Sequence, residues 1–457
     1  MKNYVFLSTR PLKGPYKFII NSSVKNFEKK YKKKTEISFF KKKIILNLNY
    51  FFFLIRTLFI SLFYKKNYSN IKYQNIDLST HVLSQTFKDY RSYTSKVIFY
   101  INFVKNLYFA LCILNTAKKL PKNIAAVYID HGMYLNGILF QFFLKKKIII
   151  YSNNLPRGLF KIKGSIKNKN KSYADFLRLH KTYRLNKNKI RKTYISLKKI
   201  IYKNEIIPWL KKTKYNKIKN LDYSKFTHVV YAHSFTDAQL IFGYDGFINS
   251  KDWLTFTLDN LLREKKNKVL LKAHPNFYNK SMGNQAIWDK KIFNMLKNEI
   301  SQIKNLTILD VPIKNHELLN KLNKKTVLIS HHSNALLEGI YFGFKCISSK
   351  KTFWKCSKFK LTNYWSNNFQ YAKLLKKNWK DLKFAKKKDF YSLLYEYLIS
   401  DYNIGGKKYF LTLIQKILNI RNINEVFKLI NYSKFNNPNS NVFTKIICAL
   451  ANNIEEL

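Results

Sequence analysis

Two short polar segments that each follow an apolar run contain residues able to bind an anion. His274 and Pro275 follow KVLLKA, and Ser330, Ser333 and Asn334 follow TVLI and precede a helix-like stretch. An imidazole can contact a phosphate or a leaving group. Hydroxyls and free backbone N–H groups at a helix start also favour an anion. The pattern predicts a phosphate site, with a simple loop histidine and an ordinary helix cap as the alternatives.

Three acidic residues are candidates for proton transfer or for binding a sugar ring. Asp245 precedes Gly246 in FGYDGF, and Asp237 ends SFTD. Either carboxylate could deprotonate an acceptor hydroxyl, although Asp followed by Gly most often marks a turn. Glu338 lies one turn inside the helix-like stretch, where its carboxylate could accept the two hydroxyls of a ribose.

A further polar segment follows AAVYID and contains His131, Tyr134 and Gly137. It has the form of a strand-to-helix connection, so we expect it to contribute substrate-binding residues at a second strand end. A tight turn that starts a helix is the alternative interpretation.

The elements that position these residues alternate in type from about residue 225. Five strand-like runs are separated by helix-like stretches, and Ser250 is expected to cap the first helix; the runs are FTHVVYAHS, KVLLKAH, LTILD, TVLIS and KCISS. Such alternation predicts an α/β fold with a mostly parallel sheet and right-handed crossovers. Ligands of these sheets bind outside the carboxyl ends of the strands, where the candidate residues fall.

We divide the chain into four parts by composition and pattern. Residues 1–95 are predicted to be a basic, aromatic, helical segment, and 96–220 a Rossmann-like acceptor-side domain with Lys-rich connecting helices. Residues 221–395 are predicted to be a Rossmann-like nucleotide-binding domain, and 396–457 C-terminal helices. An apolar stretch, 44–64, is interrupted by Arg56 and two asparagines, so a buried or interfacial helix is favoured over a membrane span.

Composition limits the class of protein. Of the 457 residues, 46% are apolar, which excludes a disordered chain. The formal net charge of +60 suits anionic partners. These partners include nucleic acid, an anionic membrane face, acidic sugars and nucleotides. The four cysteines show no CxxC spacing, which argues against a disulfide framework and a zinc site. We predict no metal and no cofactor beyond a nucleotide-activated substrate.

Several motifs with a defined chemistry are absent from the sequence. It lacks GxGxxG after a strand, GxxxxGK[ST], HExxH and GxSxG. Their absence argues against a dinucleotide oxidoreductase, a P-loop kinase, a zincin and an α/β-hydrolase.

The segments YIDHGMYLNG, AHSFTDAQLIFGYDGF with the following DWL, LLKAHPNF and SHHSNALLEGIYFG together resemble the bacterial capsule polysaccharide biosynthesis family over about residues 125–350. The resemblance includes the Kdo-transferase and sialyltransferase group. It implies two opposed Rossmann-like domains of the GT-B type and metal-independent glycosyl transfer. The donor would be a nucleotide sugar, with CMP-linked acidic sugars as one candidate.

The resemblance also implies roles for individual residues. Asp245 would match the catalytic base and His274, beside Pro275, the nucleotide-phosphate contact. The phosphate loop would comprise Ser330, Ser333 and Asn334, and Glu338 would contact the ribose. Tyr244 stands where a second acid is usual, so Asp237 remains an alternative base.

The implied partners are a nucleotide sugar, a glycan or glycolipid acceptor, the inner-membrane surface and capsule assembly proteins. The expected location is cytoplasmic or peripheral on the inner membrane. Two alternatives remain: a CDP-polyol phosphotransferase of similar fold, and a non-catalytic assembly or nucleic-acid-binding protein. No nucleic-acid-binding motif is visible, so nucleic acid is not expected as the partner.

Overall fold

The computed structural model describes residues 3–8, 35–39, 68, 71–118, 120, 124–129, 132–154, 158–162, 172–177, 185–203, 213–218, 221–237, 240–352 and 360–398, with part of 51–59. The strands are β1 (Asn3–Ser8), β2 (Thr35–Phe39), β3 (Lys72–Tyr73), β4 (Ile76–Asp77), β5 (Ile124–Ile129), β6 (Ile149–Asn154), β7 (Gly158–Ile162), β8 (His228–Tyr231), β9 (Val269–Lys272), β10 (Leu306–Leu309), β11 (Val327–Ile329), β12 (Lys345–Ser349) and β13 (Asn363–Trp365). The helices are α1 (Ser79–Thr86), α2 (Lys96–Lys118), α3 (Asn136–Lys145), α4 (Tyr173–Leu177), α5 (Lys187–Lys203), α6 (Ser250–Leu262), α7 (Asn284–Ile300), α8 (Asn315–Lys321), α9 (Ala335–Tyr341), α10 (Asn368–Leu375) and α11 (Lys387–Leu398).

The predicted parallel sheet is present in the second half of the chain. Its six strands lie in the order β10-β9-β8-β11-β12-β13, and every neighbouring pair is parallel. Counted from β8, this is the order 3-2-1-4-5-6 of Rossmann-like folds. The strand order reverses between β8 and β11, and ligands of such sheets bind in the crevice at that point.

Both faces of this sheet are covered, which explains why its strands read as continuous apolar runs. Val230 and Leu271 pack with Trp253 of α6 on one face. Val229 and Leu270 pack with α9 on the other face. Helix α6 begins as predicted, but its cap is not Ser250: the side chain of Asn249 accepts the backbone N–H of Asp252 at 2.8 Å.

A second sheet lies in the first half of the chain, in the order β2-β1-β5-β6-β7. The first four strands are parallel, and β7 runs antiparallel to β6. The prediction of a helical segment over 1–95 is therefore wrong for β1 and β2. Their sequences, NYVFLS and TEISF, are five or six residues long, and periodicity cannot separate a strand from a helix in so short a run.

Helix α2 is the one helix in the described part of the chain that is long and apolar enough to cross a membrane. Phe103, Leu107, Leu111 and Leu114 on this helix are buried in the same core as α3. That packing is typical of the core helix of a globular domain. Of the predicted 44–64 helix, several positions between 51 and 59 are helical. Nearly all of the predicted C-terminal helices at 396–457 lie outside the described residues.

Candidate functional site

Four histidines meet where the strand order reverses. His233 follows β8, His274 follows β9, and His331 and His332 follow β11. The ring of His233 lies 4.0 Å from that of His332 and 5.9 Å from that of His274, centroid to centroid. Of these four histidines, only His274 was selected from the sequence as a ligand residue. The pairing of β8 with both β9 and β11, which a sequence pattern does not specify, brings the other three beside it.

His274 is held as a neutral hydrogen-bond donor. It caps a single 3₁₀ turn, Pro275–Tyr278, and its Nδ1 accepts the backbone N–H of Asn276 at 3.2 Å. A neutral imidazole that accepts at Nδ1 carries its hydrogen on Nε2. Burial, followed by the proximity of His233 and Lys272, holds the pKa of His274 well below its usual range. The ring therefore presents an N–H group rather than a positive charge.

Asp245 lies beneath the crevice rather than in it. Its side chain is fully buried, and Oδ2 lies 2.9 Å from His331 Nε2. The hydroxyl of Ser349 donates a hydrogen bond to the same oxygen. Burial acts to raise the pKa of Asp245, but the contact with His331 and the hydrogen bonds from Ser349 and the Phe247 backbone together outweigh it, and the pKa is lowered. The predicted Asp-Gly turn is present: Gly246 has φ of +112°, and an added Cβ would meet Asn368 Oδ1 at 1.7 Å.

His331 connects Asp245 to the crevice. Its Nδ1 lies 2.6 Å from Nδ1 of His332. The tryptophans Trp253 and Trp365 enclose its ring edge-on at 5.7 and 6.0 Å, centroid to centroid. Asp245, His331 and His332 thus form a continuous polar chain from a buried carboxylate to a half-buried ring.

Asp237, the alternative base, lies on an exposed loop beside a predicted substrate-binding residue. The hydroxyl of Tyr134 donates to Asp237 Oδ1 at 3.3 Å, although these residues lie 103 positions apart. Lys88 Nζ lies 4.6 Å from the centre of the Tyr134 ring. Gly137 plays a different part: its Cα faces His81, and an added Cβ would lie 2.0 Å from that ring. His131 lies outside the described residues.

Asp289 of α7 fixes the loop that follows β8. Its carboxylate accepts the backbone N–H of Thr236 at 2.7 Å and the Thr236 hydroxyl at 2.8 Å, and Ser234 also donates to it. Burial raises the pKa of Asp289 to about 6. Asp289 was not among the candidates selected from the sequence. The signal was present, because Asp289 shares the apolar face of α7 with Ala286 and Phe293, where a charged side chain needs partners.

The predicted phosphate loop is divided between different environments. Ser330 is fully buried, and its hydroxyl has no hydrogen-bond partner among the described residues. The Ser333 hydroxyl accepts the backbone N–H of Ala335 at 3.2 Å, a local turn contact just before α9, whose cap residue is Asn334. Asn334 is exposed at the start of α9.

Glu338 lies in a polar cluster on the α9 side of the sheet. Asn315 Nδ2 donates to its Oε2 at 3.0 Å. Burial raises the pKa of Glu338 to about 7 and lowers that of the nearby Lys272 to about 8, and the attraction between the two groups opposes both shifts. The described residues contain no group of three or more His, Cys, Asp or Glu side chains arranged to hold a metal ion.

No protein-family model and no curated protein matches the chain. One similar solved structure is the beta Kdo 2,4 transferase KpsC of Thermosulfurimonas dismutans, with a TM-score of 0.38 and 11% identity over 61% of this chain and 80% of that one. A TM-score of this size is too low to assign a fold or an activity.

Proposed function

We propose that this chain is a glycosyltransferase that binds a nucleotide-activated sugar at the carboxyl ends of β8, β9 and β11. The observation that carries the proposal is the meeting of His233, His274 and His332 at the point where the strand order of a Rossmann-like sheet reverses. The resemblance in sequence to capsule polysaccharide biosynthesis proteins favours a sugar as the transferred group.

His274 is proposed to bind the phosphate of the nucleotide. Its Nε2–H is a neutral donor, and the 3₁₀ turn that starts at Pro275 fixes the ring. A neutral donor can stabilise the negative charge that grows on a departing phosphate without holding the product as tightly as a cation would. Ser330, Asn334 and Glu338 remain proposed contacts of the phosphate and the ribose.

Tyr134 and Asp237 are proposed to bind the acceptor. Asp237 lies on the exposed loop after β8, Tyr134 lies between β5 and α3, and the Tyr134 hydroxyl donates to Asp237 Oδ1 at 3.3 Å. We further propose that the two sheets form opposed domains with the crevice between them. The acceptor is proposed to be a glycan or glycolipid. The excess of lysine favours binding to the anionic inner-membrane surface, where we propose that the chain acts with capsule assembly proteins.

The proposal is tested by calorimetric titration of the full chain with CMP, CDP, UDP and GDP. One nucleotide should bind best. His274→Ala should weaken the binding free energy of that nucleotide by about 1.5–3 kcal/mol, the usual size of a hydrogen bond to a charged group. That loss corresponds to about 10- to 150-fold in the dissociation constant.

His316→Ala is the matched control, because His316 packs on Tyr202 and hydrogen-bonds the carbonyl of Ile201, outside the histidine crevice. It should bind like the wild type. Failure of all four nucleotides to bind the folded protein would overturn the proposal. A preference for CMP would favour an acidic sugar, and a preference for CDP would favour polyol-phosphate transfer.

A further inference from the structure

Asp245 and His331 have no part in the binding of the nucleotide described above, and His332 lies beside that site with no nucleotide contact assigned to it. Asp245 and His331 are buried, and their contact is 2.9 Å long. His332 is half-buried at the crevice end, and its ring is tilted against that of His233 at a centroid distance of 4.0 Å. A carboxylate that orients one imidazole, which orients a second in a crevice, is an arrangement suited to moving a proton.

The positions of the hydrogens follow from the donor and acceptor capacity of each group. The Asp245 carboxylate can only accept, so His331 Nε2 carries a hydrogen. One hydrogen lies between the two Nδ1 atoms, which are 2.6 Å apart. When both rings are neutral, His331 Nδ1 accepts it and His332 Nδ1 donates it. His332 Nε2 is then a lone pair, and it has no hydrogen bond to the part of the chain that the structure describes.

We propose that His332 Nε2 is the general base of the reaction and that His331 and Asp245 are its positioning residues. The inference rests on the proposed glycosyl transfer. The acceptor oxygen forms a bond to the anomeric carbon as the bond from that carbon to the phosphate oxygen breaks. The acceptor proton moves to His332 Nε2, and the Nδ1 hydrogen of His332 moves to His331 Nδ1. The electron pair of the broken bond leaves on the nucleotide phosphate.

The surroundings of the two rings explain why the positive charge moves inward. His233, His274 and His331 face His332, while Asp237 acts on His233, and Lys272 acts on His274. Burial and the three imidazoles hold the pKa of His332 well below its usual range. A positive charge on His331, by contrast, lies directly against the Asp245 carboxylate. The base is regenerated when His332 Nε2 releases its proton to the phosphate or to water.

Asp237 is the competing base, because it is the candidate carboxylate on the exposed loop and contacts Tyr134. The two assignments differ in what they require of Asp245. If Asp237 is the base, the buried carboxylate has only a structural role and its charge does not affect the protonation of His332. If His332 is the base, neutralising Asp245 lowers the proton affinity of the His331–His332 pair.

The first test is NMR of the full chain labelled with ¹⁵N and ¹³C histidine, assigned with single His→Gln variants. In the wild type we expect His331 to be protonated at Nε2 and His332 Nε2 to be unprotonated at neutral pH. In Asp245→Asn the pH at which the hydrogen-bonded pair of rings takes up one proton should fall by about 1–3 units, the usual effect of losing an opposite charge. His316 should titrate unchanged. An unprotonated His331 Nε2 in the wild type, which needs no variant to fold, would overturn the inference.

The second test separates binding from turnover, with the nucleotide sugar that calorimetry selects. His332→Gln should lower kcat by about 10²–10⁴-fold, the usual contribution of a general base, while the nucleotide dissociation constant stays within about threefold of the wild type. The acidic limb of the kcat/KM pH profile should disappear. Normal turnover by His332→Gln, with loss in Asp237→Asn, would assign the base to Asp237. A lack of nucleotide binding would overturn the proposed function. The NMR result would then decide by itself whether Asp245, His331 and His332 share protons as inferred.

Discussion

Replacing Asp245 with alanine should destabilise the domain built on the six-stranded sheet by about 2–6 kcal/mol, because two buried donors lose their acceptor at a usual cost of about 1–3 kcal/mol each. The size follows from the burial: Asp245 and His331 side chains are 0% and 7% exposed at a contact of 2.9 Å. The change leaves the His331 Nε2–H and the Ser349 hydroxyl without their acceptor. Asp245→Asn, which keeps the volume, should lose less, about 1–3 kcal/mol.

Denaturant unfolding followed by tryptophan fluorescence measures this loss, because Trp253 and Trp365 flank His331. Asp237→Asn is the matched control, since Asp237 is exposed. It should change the free energy of unfolding by no more than about 0.5 kcal/mol, as most surface substitutions do. A loss below about 1 kcal/mol in Asp245→Ala would refute the claim that this carboxylate is a buried partner of His331.

Three further predictions concern groups around the site. The folded pKa of Glu338, about 7 against an ordinary 4.5, means that the native state keeps a proton that the unfolded chain has released. The free energy of unfolding should therefore fall as pH rises from about 4.5 to about 7, and Glu338→Gln should show a flatter pH dependence; an equally steep one would contradict the shift. Asp289→Asn should loosen the loop at Thr236, seen as faster amide exchange there than in the wild type, and an unchanged rate would exclude its anchoring role. Gly246→Ala should lower the melting temperature, since it combines strain of about 1–3 kcal/mol with the clash against Asn368, and a stable variant would place that turn differently.

The parallel sheet could be predicted because its strands are buried on both faces. Runs such as KVLLKA and KCISS stand out between helices, and KCISS coincides with β12. The strands β1 and β2 could not be predicted, because their five or six residues lie in a basic, aromatic segment. Strand β2 pairs with β1, and β1 also pairs with β5, which lies more than 110 residues further along the chain. Pairing over such distances leaves no local periodicity to detect.

The site was predictable in outline but not in its contacts. Candidate residues were sought directly after strands, and His274 was selected for its place before Pro275. The meeting of His233 with His332 depends on the strand order, which sequence patterns do not specify. The burial of Asp245 depends on the side chain of His331, which approaches it from a loop more than 80 residues away. The sequence pattern around an exposed catalytic base does not differ from the pattern around a buried hydrogen-bond partner.

Histidine NMR during a nucleotide titration tests the central claim most directly. Addition of the best-binding nucleotide should move the signals of His233, His274 and His332, which meet at the point where the strand order reverses. The signals of His228, at the opposite end of β8, and of His316 should stay in place. Shifts confined to His228 or His316, or no shift at a saturating concentration, would contradict a nucleotide site at the histidine crevice.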